Sequence, residues 1–153
     1  MTDVDELYQA TIVEHDHRPR NGGALADPTH EATVDNPLCG DVVTVQVRLA
    51  DGIVREIACD GRGCALSRAA ASIMSTLVLD RQADAARELT RAFEQLVQAA
   101  PDAAIPDHLG ELRAFAGVRR FRSRRVCAML PFRALMQALD AVSSPSHLGN
   151  DVR

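Results

Sequence analysis

Apolar and polar residues alternate along segment 43–49, which is the clearest local pattern in the chain. Successive side chains of a β-strand point to opposite faces, so one face of this strand would carry four aliphatic residues: Val43, Val45, Val47 and Leu49. An Asp51-Gly52 pair, typical of a tight hairpin turn, leads into a second apolar run at 53–59. With an earlier strand at about 31–34, the pattern predicts a three-stranded antiparallel sheet.

Four other segments carry apolar residues at helical spacing. A leading helix is predicted over about 7–15, and two further helices over about 64–79 and 82–98. A polar, proline-rich loop is expected at 101–110. Pro131 must fall within the first turn of the last helix or kink it. The apolar positions of that last helix are Leu135, Ala138, Leu139 and Val142.

This order of elements indicates an α+β fold in which a three-stranded antiparallel sheet packs against helices on one side. A chain of 153 residues with 46% hydrophobic content can bury one sizeable core. We therefore expect a single domain over residues 1–142, followed by a flexible C-terminal tail at 143–153.

Charge and cysteine content narrow the functional classes. A net charge of −4 argues against a general binder of nucleic acid or of anionic membranes. The N-terminus has no basic region followed by an apolar stretch, and no apolar run reaches the length of about 18 residues that spans a membrane. The expectation is a soluble cytoplasmic protein. In a reducing cytosol, the four cysteines are better interpreted as metal ligands or reactive thiols than as disulfides.

Three cysteines and one aspartate form the candidate metal site: Cys39, Asp41, Cys64 and Cys127. Three thiolates and a carboxylate complete a tetrahedral set of ligands that suits Zn²⁺ or iron-sulfur chemistry. The carboxylate makes the site easier to open, because an oxygen donor holds a borderline-soft ion less tightly than sulfur does. Cys64 and Cys127 lie 25 and 88 positions beyond Cys39, so only a folded domain gathers the four residues.

Each donor also has an ordinary structural interpretation. Cys39 and Asp41 would point to the same side of an extended chain, or would form a strand-entry turn with a buried thiol and a capping carboxylate. Cys64 follows a tight loop expected at 60–63. It sits at a helix N-terminus, where it either packs as a small residue or holds a stabilised thiolate. Cys127 is either a ligand or a core residue of the last helix.

The remaining cysteine and the histidines are not assigned to the site. A rival ligand set would use Cys59 in place of Asp41. Cys59 shares strand parity with Ile57, so we expect it to point into the core as a small hydrophobic residue. His15 and His17 lie near the end of the first helix, where favourable contact with the helix dipole explains them.

A cluster of five arginines precedes the last cysteine: Arg119, Arg120, Arg122, Arg124 and Arg125. A phosphate-binding strip has little support in an acidic chain with one tyrosine and four phenylalanines. The cluster is expected to dock a partner or to lie near the thiolates. Arg124, three residues before Cys127, is best placed to stabilise thiolate and persulfide anions.

Three sequence motifs carry a resemblance to a known family: NPLCGD at 36–41, GRGCALS at 61–67 and RRVCAML at 124–130. Together they resemble the IscU/NifU-like iron-sulfur scaffold family, and the match extends over about residues 6–142. The interval of 63 positions between the second and third motif cysteines is long, which is similar to the SufU branch. Val126, in place of a histidine before the last motif cysteine, also favours that branch.

The resemblance implies a zinc ion held by Cys39, Asp41, Cys64 and Cys127 in a protein that accepts persulfide sulfur from a SufS-type cysteine desulfurase. At most, the chain would be a sulfurtransferase acting with that enzyme. Cys39 is the expected acceptor and Cys127 its rival, while other SUF assembly proteins and apo iron-sulfur proteins are further expected partners.

Two alternatives to this function stay open. In one, the chain is a scaffold that carries a transient 2Fe-2S cluster and hands it on. In the other, it is a zinc-stapled interaction module whose metal only holds the fold together. A conventional hydrolase has the least support, because no Ser-His-Asp pattern or histidine-rich metal triad accompanies the thiols. Neither nucleic acid nor a membrane is an expected partner.

Overall fold

The alternating segment is the middle strand of the sheet in the computed structural model, which describes residues 3–141. Strands β1 (His30–Asn36), β2 (Asp41–Ala50) and β3 (Ile53–Arg62) form an antiparallel sheet in the order β1-β2-β3. One face of β2 is buried through its aliphatic residues: Val43, Val45 and Val47. The predicted three-stranded antiparallel sheet is therefore confirmed.

The connection between β2 and β3 is the tight turn that its residues favour. Asp51 and Gly52 both have positive φ angles, at 55° and 76°, as a type I′ hairpin turn requires. At its other end β3 is longer than predicted, because Gly61 pairs with Val43 and Arg62 with Val42. The tight loop expected at 60–63 is thus wrong, since ladder pairing with β2 carries the strand through the glycine.

Four α-helices confirm the helical periodicities: α1 (Asp3–His17), α2 (Ala65–Val78), α3 (Ala83–Gln98) and α4 (Arg122–Asp140). Helix α4 begins so early that Pro131 lies in its middle. Of the two alternatives for Pro131, a place in the first turn of the helix is therefore excluded. Val142 and the expected tail at 143–153 lie outside the described residues. None of the helices within residues 3–141 combines the length and the hydropathy needed to cross a membrane.

A 3-10 helical segment, Asp107–Arg120, replaces part of the loop expected at 101–110. It is bent at Gly110, where φ is 56°. Its large buried apolar residues recur every three positions: Leu109, Leu112, Phe115 and Val118. This spacing matches the three residues per turn of a 3-10 helix, whereas an α-helix favours spacings of three and four. This period of three is the sequence pattern from which the 3-10 segment could have been predicted.

The aromatic centre of the core lies between α3, the 3-10 segment and α4. The ring of Phe93 meets that of Phe115 edge-on, with centroids 5.5 Å apart, and that of Phe132 at 4.7 Å. Such aromatic pairs contribute about 0.5–1.5 kcal/mol each beyond their burial. The long interval between Cys64 and Cys127 thus supplies part of the hydrophobic core. Helix α4 also packs against β1, β2 and α2, which brings Cys127 close to the start of β2.

Arg119 holds the end of α3 to the loop that follows it. Its buried guanidinium donates hydrogen bonds to the carbonyl oxygens of Leu96, Ala103 and Ala104, at 2.9, 2.8 and 3.2 Å. Carbonyl dipoles thereby replace the water that a buried charge loses. Arg119 is therefore a structural residue, which corrects the expectation that it belongs to a docking cluster.

Candidate metal centre

A tight turn between β1 and β2 presents Cys39. The side-chain oxygen of Asn36 accepts a hydrogen bond from the Leu38 amide at 3.1 Å, and its carbonyl accepts from the Cys39 and Gly40 amides at 3.2 and 2.8 Å. Asn36 is buried, whereas Cys39 is exposed beside Leu38, which is 96% exposed. Because of this turn, Cys39 and Asp41 do not lie on one extended stretch of chain.

Asp41 is the first residue of β2 and is only 4% exposed. Its Oδ1 accepts a hydrogen bond from the backbone amide of Cys64 at 3.2 Å. Its Oδ2 is buried and has no hydrogen-bond partner among residues 3–141. An unsatisfied buried acceptor costs about 1–3 kcal/mol, and more when it is charged. Coordination of a cation would satisfy this oxygen.

Cys64 is the residue that caps the N-terminus of α2, as predicted. Its side chain makes no capping hydrogen bond, and the residue is exposed. Gly63 permits the close approach of this segment to Asp41, because a Cβ on Gly63 would lie 2.5 Å from Ser67 Oγ and 3.0 Å from Asp41 Cγ. The hydroxyl of Ser67 donates to the Cys64 carbonyl at 3.1 Å, which helps to hold the helix start.

Cys127 lies in the second turn of α4 and is 8% exposed. Its sulfur is 3.9 Å from that of Cys39, and donor atoms of Cys39, Asp41 and Cys127 all lie within 4.8 Å of one another. Burial first, and then the neighbouring Cys64 and Cys39 thiols, raise the pKa of the Cys127 thiol far above its ordinary value. Three of the four predicted donors are thus brought together. Cys64 is not part of that group of three but interacts with Cys127.

The donors fit a soft or borderline metal ion. Two thiolates and one carboxylate within 4.8 Å of one another, with the Cys64 thiol interacting with Cys127, would repel one another, so their ionised forms require a cation among them. One carboxylate oxygen of Asp41 lies within 4.8 Å of the sulfurs of Cys39 and Cys127, and its Oδ2 has no partner within residues 3–141 and is available as a donor. The same set of atoms suits a zinc ion and the iron of an iron-sulfur cluster.

Arg124 lies one helical turn before Cys127 but is exposed. Its guanidinium carbon is 4.6 Å from the centroid of the Phe121 ring, which is a cation–π geometry. The same side chain lines a groove of about 500 Å³ together with Ile12 and Leu66. The raised pKa of Cys127 comes from burial and the other thiols, so an effect of Arg124 on the thiols stays a prediction.

Cys59 is a core residue, as predicted. Its side chain is buried, and its sulfur is 3.9 Å from the carbonyl oxygen of Ala71. Burial raises the pKa of its thiol to about 12, so the thiol stays protonated at neutral pH and is a poor nucleophile or metal ligand. The folded chain brings Asp41, and not Cys59, close to Cys39 and Cys127, which argues against the rival set of donors.

Residues 7–128, a range that includes all four predicted donors, match the sequence model of the family described as NifU-like N terminal domain. The chain belongs to this family. A crystal structure of the N-terminal part of a nitrogen-fixing NifU-like protein from Brucella abortus is similar to this NifU-like domain at 29% identity. The TM-score is 0.77, over 90% of this chain and 95% of that chain. This similarity confirms the α+β fold.

Two relatives carry different functional names. The NifU-like domain is 32% identical over 148 residues to the iron-sulfur cluster assembly scaffold protein IscU of Streptococcus pyogenes serotype M1, covering 97% of this chain and 92% of the relative. It is 33% identical over 133 residues to the zinc-dependent sulfurtransferase SufU of Bacillus subtilis (strain 168), covering 86% of this chain and 88% of the relative. These nearly equal identities place the chain in the family without separating its branches.

His15 has a larger structural role than the sequence suggested. It is 2% exposed, and its Nδ1 and Nε2 contact Ser72 Oγ at 2.7 Å and Glu111 Oε1 at 3.0 Å. These contacts join α1, α2 and the 3-10 segment of the NifU-like domain. His15 does lie in the last turn of α1, as expected, but contact with the helix dipole does not by itself explain its burial. Since its partners are 57 and 96 positions away, no local pattern could have found them.

Proposed function

We propose that this NifU-like domain is a zinc-binding sulfur acceptor that receives sulfur from a cysteine desulfurase for iron-sulfur cluster assembly in the cytoplasm. The observation that carries the proposal is Asp41, whose buried Oδ2 has no partner within residues 3–141 and lies among thiols. An oxygen donor in a sulfur-rich site holds zinc less tightly than a fourth thiolate would. The similarity to a protein named zinc-dependent sulfurtransferase supports the same function.

Cys39, Asp41, Cys64 and Cys127 are the residues that would hold the zinc ion. When bound, zinc would stabilise the three thiolates and protect them from oxidation. The Cys64 amide contributes separately, because it donates a hydrogen bond to Oδ1 of Asp41 and leaves Oδ2, which has no partner within residues 3–141, available to bind the ion. The protein therefore orients its oxygen donor through the backbone of one of its thiol donors.

Cys39 is the proposed sulfur acceptor. It lies on an exposed turn, whereas Cys127 is buried in α4. The Cys39 thiolate would attack the outer sulfur of the desulfurase persulfide, forming a new sulfur–sulfur bond as the old one breaks. The desulfurase cysteine leaves as a thiolate, so no additional oxidant or reductant is needed. Other SUF assembly proteins and apo iron-sulfur proteins are the proposed recipients of the sulfur or of the finished cluster.

Arg124 is proposed to assist this transfer as a positioning residue. Arg124 precedes Cys127 by about one helical turn in α4, and its guanidinium is held over Phe121. From there it would attract the persulfide anion. We expect Arg124→Ala to slow sulfur transfer about 3- to 10-fold, as the loss of a partly exposed charge interaction of about 1 kcal/mol implies. Single-turnover transfer from a SufS-type desulfurase measures this rate, and added salt should reduce the difference.

Arg120→Ala is the matched control for Arg124→Ala, because Arg120 is also exposed and follows Arg119 at the end of the 3-10 segment. It should transfer sulfur at the unmodified rate. If Arg124→Ala retains that full rate as well, the proposed role of Arg124 is wrong.

The second candidate function is a scaffold on which a 2Fe-2S cluster is assembled and handed on. The near-complete alignment with a protein named as a scaffold favours it, and the thiol donors suit iron as well as zinc. In this case the cluster is transferred to another protein and is not a permanent cofactor of the chain. After anaerobic reconstitution, a scaffold should pass its cluster to an apo ferredoxin, whereas a dedicated sulfur acceptor should not.

A zinc-stapled interaction module has less support. Among residues 3–141, the main hydrophobic core contains Cys59 but none of the four proposed donors, so the packing of this core does not include the metal site. A structural zinc site, in contrast, supplies much of the folding energy of its domain. Stimulation of a cysteine desulfurase by the chain would argue against this module.

The proposed function predicts a specific metal content. Protein purified without oxygen or chelator should contain about one zinc ion per chain and no acid-labile sulfide. Cys39→Ser should lose zinc or bind it more weakly, because it lacks one thiolate donor. Cys59→Ala should keep its zinc, since the Cys59 thiol points into the core. Elemental analysis and a sulfide assay on the three proteins measure these contents.

The other possible metal contents separate the alternatives. Iron with a matching amount of sulfide would favour the scaffold. Protein without any metal would contradict the four-donor site. Zinc that survives in Cys39→Ser at full affinity would show that Cys39 is not a ligand.

A further inference from the structure

An arginine-lined groove of about 460 Å³ lies between the end of α3 and one face of α4. Three arginines of α4 line this arginine groove: Arg122, Arg125 and Arg133. Its apolar lining comes from Val97 of α3 with Val126 and Met129 of α4. The groove therefore combines positive charge with a small apolar surface.

The three arginines form a line along α4. At about 100° and 1.5 Å per residue, Arg125 and Arg133 lie within about 60° of Arg122 around the helix. Arg122 and Arg133 are separated by about 16 Å along its axis. This distance corresponds to about three turns of a partner helix or about five residues of an extended chain.

The positive charges of the groove are not balanced within residues 3–141. Arg122 and Arg133 form no ion pair or hydrogen bond there, and Arg125 donates only to the carbonyl of Arg119 at 3.2 Å. Six other arginines do pair with carboxylates: Arg20, Arg48, Arg55, Arg68, Arg87 and Arg113. Three unbalanced charges in one groove of a chain with net charge −4 form a local field that attracts anionic groups.

We propose that the arginine groove docks an acidic segment of a partner protein. Carboxylates spaced along about 16 Å would pair with the three guanidinium groups, preferably in the two-point geometry that arginine allows. A short aliphatic side chain of the segment would contact Val126 and Met129. The charge pattern of the groove thus defines the segment as acidic, with an apolar residue among its carboxylates.

Other occupants fit the groove less well. Nucleic acid has no stacking surface there among residues 3–141, because those that line the groove include no aromatic side chain. Residues 142–153 of the chain itself contain one aspartate and one arginine, so they do not supply the excess negative charge. A partner with several carboxylates does supply it.

The groove lies on a different face of α4 from the metal centre. Cys127 is about 140° around the helix from Arg122 and faces Cys39 across 3.9 Å. A segment bound in the groove would leave Cys39 accessible at its exposed turn. The protein would then hold one partner at the thiols and another at the groove. This inference does not depend on the proposed sulfur transfer.

The test measures binding of a defined acidic probe by fluorescence anisotropy. The probe is a fluorescein-labelled, alanine-based helical peptide with three glutamates spaced as the arginines are and one leucine. The comparison peptide carries glutamine in place of each glutamate. The groove variant is Arg122→Gln/Arg133→Gln, since neither side chain has a partner within residues 3–141 and the fold should be retained. The matched control is Arg18→Gln/Arg81→Gln, which removes two exposed charges that have no ion pair within residues 3–141 and do not line the groove.

We expect the glutamate peptide to bind the unmodified chain and to lose at least about tenfold in affinity for the groove variant, as the loss of interfacial charge pairs implies. The control variant should bind within about twofold of the unmodified chain, and raising the salt concentration should weaken binding. Thermal unfolding of both variants checks that the fold is intact, and Arg133→Gln alone replaces the double variant if the latter fails to fold.

Four results would overturn the proposal. The first is no binding of the glutamate peptide, and the second is equal weakening in both double variants, which would reflect net charge alone. The third is tighter binding of an RNA oligonucleotide of matched charge that the groove variant loses, which would assign the groove to nucleic acid. The fourth is self-association in sedimentation experiments that the groove variant abolishes, which would assign the groove to a second copy of the chain.

Discussion

Changing Cys39 to serine is expected to abolish transfer of persulfide sulfur to this protein. The hydroxyl of serine is a far weaker nucleophile than a thiolate at neutral pH, so we expect at least about a 100-fold loss of persulfide on the chain. Cys39 is exposed on the turn after β1, whereas Cys127 is 8% exposed within α4. An incoming persulfide would therefore reach Cys39 first.

The measurement is persulfide mapping by mass spectrometry after incubation with a SufS-type desulfurase and cysteine. Chelator-treated proteins are compared, so that differences in metal content do not affect the result. Cys64→Ser is the matched control, because Cys64 is also exposed and is also a proposed thiolate donor. The control should still carry the persulfide on Cys39. A full yield of persulfide on Cys127 in the Cys39→Ser protein would make Cys127 the acceptor.

Replacing Gly61 with alanine is expected to destabilise the fold more than any change at another exposed position discussed above. Gly61 has a φ of 137°, a conformation that residues with a Cβ rarely adopt. A Cβ at this position would also overlap with the carbonyl oxygen of Val42 on β2. Backbone strain costs about 1–3 kcal/mol and forced overpacking about as much again. The free energy of unfolding should thus fall by about 2–5 kcal/mol.

Urea unfolding followed by circular dichroism measures this loss. Gly117→Ala is the control, because a Cβ on Gly117 meets no atom within 4 Å and its φ is not in the restricted range. It should change the free energy of unfolding by less than about 1 kcal/mol. Should Gly61→Ala unfold at the same urea concentration as the unmodified chain, the close approach of β3 to Val42 would not be essential to the fold.

Local patterns were sufficient for the sheet and for helices α1, α2 and α3. The alternation along 43–49 and the Asp51-Gly52 turn predicted the β2–β3 hairpin, because the period of a strand and the dihedral angles of a turn depend on neighbouring residues. The helical stripe after Cys64 likewise predicted α2 and the position of Cys64 at its N-terminus. These elements are encoded within about 10–15 residues each.

Elements that depend on distant partners were not predictable in this way. Helix α4 runs through Pro131 because it packs against the sheet and α2, although proline disfavours a helix interior. Arg119 and His15 are buried by contacts with residues far along the chain. The course of α4 and the burial of Arg119 and His15 all depend on packing between distant segments, so no single segment predicts them.

Some properties of the candidate metal site follow from the amino-acid sequence, and others follow only from the tertiary structure. Thiol and carboxylate chemistry is a property of the residue types, so the amino-acid sequence alone names Cys39, Asp41, Cys64 and Cys127 as possible ligands. Three properties exist only after folding: the distances between these donors, the lack of a partner for Oδ2 of Asp41 within residues 3–141, and the contrast between exposed and buried thiols. These properties arise when β2, α2 and α4 meet, because a donor 88 positions from Cys39 is brought near it only by packing of the whole core.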